Sequence, residues 1–259
     1  MTARFSTGLR NFVASGGGSY KDALQGGKIK IYTGSQPASA DDAPTGTLLV
    51  TITDASGAHT SETIATGSVE LTGGGAGSVN TITVDSIDIL GGAVTYATSL
   101  ANTAALVAAQ INSNQANPEY TAAVLSGAII TIYARRGTGA ESNGLVVAST
   151  VTTITKTDTN MSGGVTAVNG LSFGAAAAGV LDKVSTQTWS GVTAVTGTAG
   201  WFRFEGPVAD SGVLDSAGTQ VRLDGAVSTS GQQLNMSSTS FTAAATQTIS
   251  AFPITFPAA

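Results

Sequence analysis

GTAGWFRFEG, residues 197–206, alternates large side chains with period two: Trp201, Arg203 and Glu205 share one face of an extended strand, Phe202 and Phe204 the other. That pattern predicts a strand whose two Phe side chains enter a core while Trp201 stands on the opposite face, open to a neighbouring sheet or subunit. Similar runs of five to eight residues rich in Val, Ile, Thr and aromatics recur along the chain, separated by clusters of Gly, Asn, Asp and Ser. Among them are KIKIYT at 28–33, residues 81–84, 129–134, 152–157, 170–173, 220–226 and 246–252. So many short strands with frequent turns predict a mainly β chain of sandwich, jelly-roll-like or barrel type.

Helical periodicity is scarce. Phe5, Leu9, Phe12 and Val13 follow helix spacing just before Gly16-Gly17-Gly18, which predicts one N-terminal helix near residues 4–14. Eight to eleven residues of amphipathic helix are not stable alone, so this one must dock on the sandwich or on a neighbouring subunit. Phe5 and Phe12 therefore join Trp201 as candidate interface residues. A second helix is predicted at 103–113, TAALVAAQINS, with Asn102 as N-cap. This helix sits within a block of strands bounded by two similar glycine turns, Leu71-Thr72-Gly73-Gly74 and Met161-Ser162-Gly163-Gly164. The block, residues 66–167, reads as a small α+β domain inserted into an all-β host made of residues 1–65 and 168–259.

With 259 residues, only 10% charged, and 11 basic against 16 acidic groups, the net charge is −5. No basic cluster exceeds Arg135-Arg136, which argues against nucleic acid as a partner. No stretch approaches the roughly 20 apolar residues of a membrane span, and the N-terminus lacks the apolar centre of a signal peptide, so no membrane partner and no general export route are expected. Cysteine is absent, which removes disulfides and thiolate chemistry and fits assembly in a reducing cytoplasm. His59 is the single histidine and cannot build a usual zinc set without cysteines. Oxygen ligands for calcium could come from Asp41-Asp42, Asp85 with Asp88, or Asp158 with Asn160, but these read better as turn residues and caps. No cofactor, metal or catalytic residue is expected.

Three segments carry a resemblance: KIKIYTGSQPASADDAPTGTLLVTIT at 28–53, GTAGWFRFEGPVADSG at 197–212, and RLDGAVSTSGQQLNMSSTSFTAAATQTISAFPITFP at 222–257. Together they resemble a family of small virion structural proteins of tailed bacteriophages. The intervening block, from TGSVELTGGG to TNMSGGV, is similar to a module of phage head and tail proteins. The resemblance implies a noncatalytic virion protein, a head decoration or cement protein in the first place and a neck or tail component in the second. Its partners would be the major capsid protein or other virion proteins, together with copies of itself. A receptor- or carbohydrate-binding module is the competing class, with Trp201, Tyr96, Tyr120 and Tyr133 as stacking faces; a glycan hydrolase lacks an identifiable acid and base.

Overall fold

The computed structural model describes residues 3–114, 116 and 119–255; the outermost ends of the expected host, residues 1–2 and 256–259, lie outside them. The chain is mainly β. In chain order it forms β1 (Arg4–Phe5), α1 (Thr7–Ala14), α2 (Tyr20–Leu24), β2 (Lys28–Thr33) and β3 (Leu48–Asp54), followed by β4 (Thr66–Gly73), β5 (Ser78–Val84), β6 (Ile87–Asp88) and β7 (Val94–Thr95). Next come α3 (Leu100–Ser113), β8 (Tyr120–Val124), β9 (Ile129–Ala134), β10 (Val147–Thr152) and β11 (Thr155–Ser162). The last third holds β12 (Val180–Leu181), β13 (Trp189–Val192), β14 (Gly197–Glu205), β15 (Arg222–Ser228), β16 (Leu234–Asn235), β17 (Ser240–Phe241), β18 (Thr246–Ile249) and β19 (Ile254–Thr255). Packing divides the chain into two compact units: residues 1–14, 19–62 and 167–259 form the first, residues 15–18 and 63–166 the second.

In the first unit a large sheet runs β1-β15-β14-β2-β3-β13-β18, with β16 beside β15 and β17 beside β14. β14 is its centre, antiparallel to β15 on one side and to β2 on the other. Its register shifts between Ala199 and Trp201. Gly200 stands at that shift because any Cβ there would collide with the carbonyl oxygen of Gly34. Phe202 and Phe204 point into the core as the alternation predicts, joining Ile29, Ile31, Ile52 and Leu223. Phe173, Trp189, Phe204 and Phe252 form a ring cluster with centroids 5.4–6.4 Å apart, mixing stacked, tilted and edge-on pairs. Such pairs add about 0.5–1.5 kcal/mol each beyond the area they bury.

The N-terminal helix starts later than its periodicity suggests. Phe5 is not helical: Arg4 and Phe5 pair with Asp224 and Leu223 as a short edge strand, and the helix begins after Ser6, whose Oγ accepts from the Leu9 N–H. Backbone pairing with β15 satisfies donors that a first helical turn would leave open. Phe5 and Phe12 are half-buried against the unit's own core, and the Phe5 ring lies 5.5 Å from that of Tyr20. The docking alternative is thus filled within the chain. α2 is a five-residue helix, too short to show a periodicity, and is closed by a capping box between Ser19 and Asp22. Residues 170–173, expected as a strand, make only the isolated bridges of Leu171 with Gly27 and Phe173 with Lys183.

The second unit holds two four-stranded sheets, β11-β4-β9-β8 and β10-β5-β6 with β7 also on β5. Helix α3 begins at Leu100, three residues before the expected start, because Ser99 and not Asn102 is the N-cap; the Ser99 side chain accepts from the Asn102 N–H. Val107, Ala108 and Ile111 of α3 enter a core with Val69, Ile82, Ile130 and Ile132. The predicted strand 152–157 is interrupted at Thr153, whose φ of +62° turns the chain between β10 and β11.

Candidate functional site

The face of the large sheet opposite the Phe cluster carries a layer of charge. Cross-strand register lines up Asp224, Arg203 and Lys30 in one row, Arg222, Glu205 and Lys28 in the next, and Ala226, Trp201 and Tyr32 in a third. Arg203, Glu205, Arg222 and Asp224 are buried within the chain, which charged groups tolerate only when paired. Arg203 grips Asp224 through Nε and Nη2 at 2.8 and 2.7 Å, and Arg222 grips Asp210 in the same forked manner at 2.6 and 2.7 Å. Glu205 accepts from Lys30 at 2.7 Å and lies 3.6 Å from the Lys28 ammonium.

Two long loops, residues 34–47 and 206–221, are held onto this layer by the same side chains. Arg222 Nη1 donates to the carbonyls of Ala40, Asp41 and Asp42, its Nη2 donates to Val213, and Arg203 Nη1 donates to Asp42. Planar, always-charged guanidinium groups suit this work because each offers five donors in a fixed fork. Asp41 in turn accepts from the N–H and hydroxyl of Thr7 at the start of α1, and Asp42 accepts from the Ser39 N–H. The acidic pair considered for calcium therefore serves as a helix cap and a turn lock. Among the described residues no group of three or more acidic or histidine side chains converges on a metal position.

Burial pushes the Asp224 carboxyl above its usual range, with the Arg203 fork pulling against it. At Asp210 burial works in the same direction, but the Arg222 fork and the Gly212 N–H outweigh it and hold the carboxyl below its usual range.

Trp201 is not a surface anchor. Its side chain is 0% exposed, stacked on Tyr32 at 4.6 Å between centroids, with its indole N–H donated to the Thr45 carbonyl. The loop over it carries no periodic signal, so the strand pattern alone left that face looking free. Tyr120, offered as another stacking face, is also buried, and Tyr96 packs on the second core. Of the four aromatics proposed for sugar stacking, Trp201 belongs to the first unit and Tyr96, Tyr120 and Tyr133 to the second.

His59 donates its Nε2–H to the Gly26 carbonyl at 3.0 Å, and its Nδ1 is buried without a partner. Burial, aided by Lys28 and Lys30, lowers its pKa, so the ring is neutral. It lines a cavity of about 320 Å³ with Leu48, Val50, Thr51, Val192 and Ala194.

While charge is concentrated in that covered layer, other parts of the unit have none. Residues 225–259 contain no Asp, Glu, Lys or Arg, and neither do residues 184–202. These runs supply β13 and β18, the last two strands of the large sheet. Val192 and Val195 stand about half exposed beside them. The uncharged runs are a signal in the sequence itself, visible only when charge is followed by position and not as a total. No protein-family model, curated protein or solved structure matches the chain.

Proposed function

We propose that the chain is a noncatalytic structural protein of a tailed-bacteriophage virion, present in many copies as a head decoration or cement protein, with capsid subunits and copies of itself as partners. The observation that carries this reading is the separation of charge: the first unit buries charged groups as internal clamps and leaves β13 and β18, at one end of its large sheet, uncharged. Interface centres are depleted in charged residues because desolvating an unpaired charge is costly, so an uncharged strand surface is suited to being covered. The clamps fix two long loops without a disulfide, giving each copy one shape, as repeated assembly needs. The resemblance in residues 28–53, 197–212 and 222–257 supplies the virion context.

The test is location. Particles from producing cells, purified on a density gradient and stripped of soluble protein by a second sedimentation, are probed by mass spectrometry for peptides of both units. Recovery with intact heads at many copies per particle is the expected result. Recovery only in the soluble fraction overturns the reading.

A further inference from the structure

We propose that the outer edge of β18 is a self-pairing site, joining two copies through an antiparallel β18–β18 contact about a two-fold axis at Gln247. The pairing rests on the assembly reading only for the expectation that copies meet.

An open strand edge invites pairing, and chains usually blunt it. The second unit does so with side chains. Asn112 of α3 lies along β8, donating to the Ala122 carbonyl and accepting from its N–H, both at 2.8 Å. Along β10, Asn160 accepts from the Val147 N–H and Asp158 from the Ser149 N–H. β18 ends the large sheet, and among the described residues no strand or side chain is bonded along its outer side. It carries no charge, proline or bulge of its own.

The ladder fixes which groups face out. Ala194 bonds toward β3 through Leu49, and Thr193 bonds toward the β18 side through Ala245. Alternation then gives Gly191–Gln247 and Trp189–Ile249 as the bonded pairs, so the N–H and C=O of Thr246 and Thr248 point outward. Both threonines are exposed. Outward groups two residues apart match their own copy when antiparallel: Thr246 faces Thr248 of the second copy, Thr248 faces Thr246, and four backbone hydrogen bonds close about Gln247.

Self-pairing places no like charges opposite each other, and Thr opposite Thr is a favourable cross-strand pair. A charged partner would find no counter-charge on this edge, which favours a second copy as the occupant. Val192, across the ladder from Thr246, extends the contact with apolar surface.

The test uses the full chain. Light scattering after size exclusion, over a concentration series, should give twice 25.6 kDa at the high end. Thr248→Pro removes two of the four shared bonds while sparing the intrachain ladder, so the dissociation constant should rise about 30-fold, taking roughly 1 kcal/mol per bond. Should that variant lose its fold, the doubly substituted Thr246→Lys, Thr248→Lys chain replaces it: alone it should be monomeric, and it should pair with a Thr246→Glu, Thr248→Glu chain. Gln247→Cys should crosslink under mild oxidation, because facing residues between bonded pairs lie about 4.5 Å apart at Cα, within disulfide reach. The chain has no other cysteine, and Thr72→Cys on the second unit is the control. A monomer at all concentrations, a dimer that survives these edge substitutions, or crosslinking no faster than the control overturns the proposal. Particle recovery is scored separately, so a chain that keeps its place on particles without edge pairing refutes this site and leaves the virion reading standing.

Discussion

Asp210→Asn is the substitution that tests the clamp. In the folded chain the side chains of Arg222 and Asp210 are 0% and 3% exposed, and among the described residues Asp210 is the one carboxylate within ion-pair distance of Arg222. Removing one partner of a buried pair strands the other charge and costs about 3–5 kcal/mol. The lower end applies here, since the 206–221 loop lies over the sheet and can admit water once released. Arg222→Met should cost more than Asp210→Asn, because four carbonyls, of Ala40, Asp41, Asp42 and Val213, lose a donor together with Asp210. The double variant should cost less than the two single costs added, by about 1–3 kcal/mol, as groups in one network do. Both tryptophans, Trp189 and Trp201, belong to the first unit, so tryptophan fluorescence during urea unfolding isolates that unit from the other. For a unit of about 150 residues each kcal/mol corresponds to roughly 2–4 °C, so Asp210→Asn should lower the melting midpoint by about 6–12 °C. The same variant should change the acid limb. The Asp210 pKa is lowered on folding, so its contribution is complete above the unfolded value near 3.8 and disappears as pH falls through the lower folded value. The wild type should therefore lose stability below about pH 4, and the variant should lose less of it there. A cost under about 1 kcal/mol at pH 7, or an unchanged acid limb, refutes the clamp.

Trp201→Ala should destabilise the first unit by about 3–5 kcal/mol in the same urea assay, as a buried aromatic stacked on Tyr32, while leaving light-scattering mass at low denaturant unchanged. Asn112→Ala should cost the second unit about 1–3 kcal/mol by leaving the Ala122 N–H and carbonyl unpaired, read from far-ultraviolet dichroism, and should also raise aggregation through the uncovered β8 edge. His59→Gln bears on neutral pH: because the folded pKa lies below 6.5, the unfolded chain takes the proton first, and wild-type stability should fall as pH drops from 6.5 through the folded value. The variant should show a flatter profile over that window, and an identical slope would place the titration elsewhere.

What the residues revealed by themselves follows periodicity. The period-two alternation puts Phe202 and Phe204 on the same strand face, and both enter the core. The helix at α3 was legible from its run of helix formers, although the cap fell to Ser99 because its side chain reached the Asn102 N–H. The covered side of the sheet was not legible. Asp210 and Arg222 are twelve residues apart with no repeating pattern between them, and Asp42 reaches both arginines through its backbone carbonyl, a contact no side-chain motif encodes. The fate of Trp201 depended on a loop of Ser, Ala, Asp and Pro that carries neither helix nor strand period.

The two halves of this arrangement depend on each other physically. A chain with only 10% charged residues keeps few groups to oppose unwanted association, and here several of those groups are withdrawn to hold loops over the sheet. Where α3 and β11 supply side chains, edges are closed by Asn112, Asp158 and Asn160. At β18 the sequence from 225 onward offers no charge to repel a neighbour, and the outward N–H and C=O groups of Thr246 and Thr248 are presented from a strand anchored by Ile249 beside Trp189. An edge that is uncharged, exposed and rigidly backed has a small ordering cost on pairing. Four backbone bonds give only weak affinity in one contact, and a lattice of many copies multiplies it. Such an edge is therefore expected to be weak between free copies in solution and strong where a surface already holds them side by side.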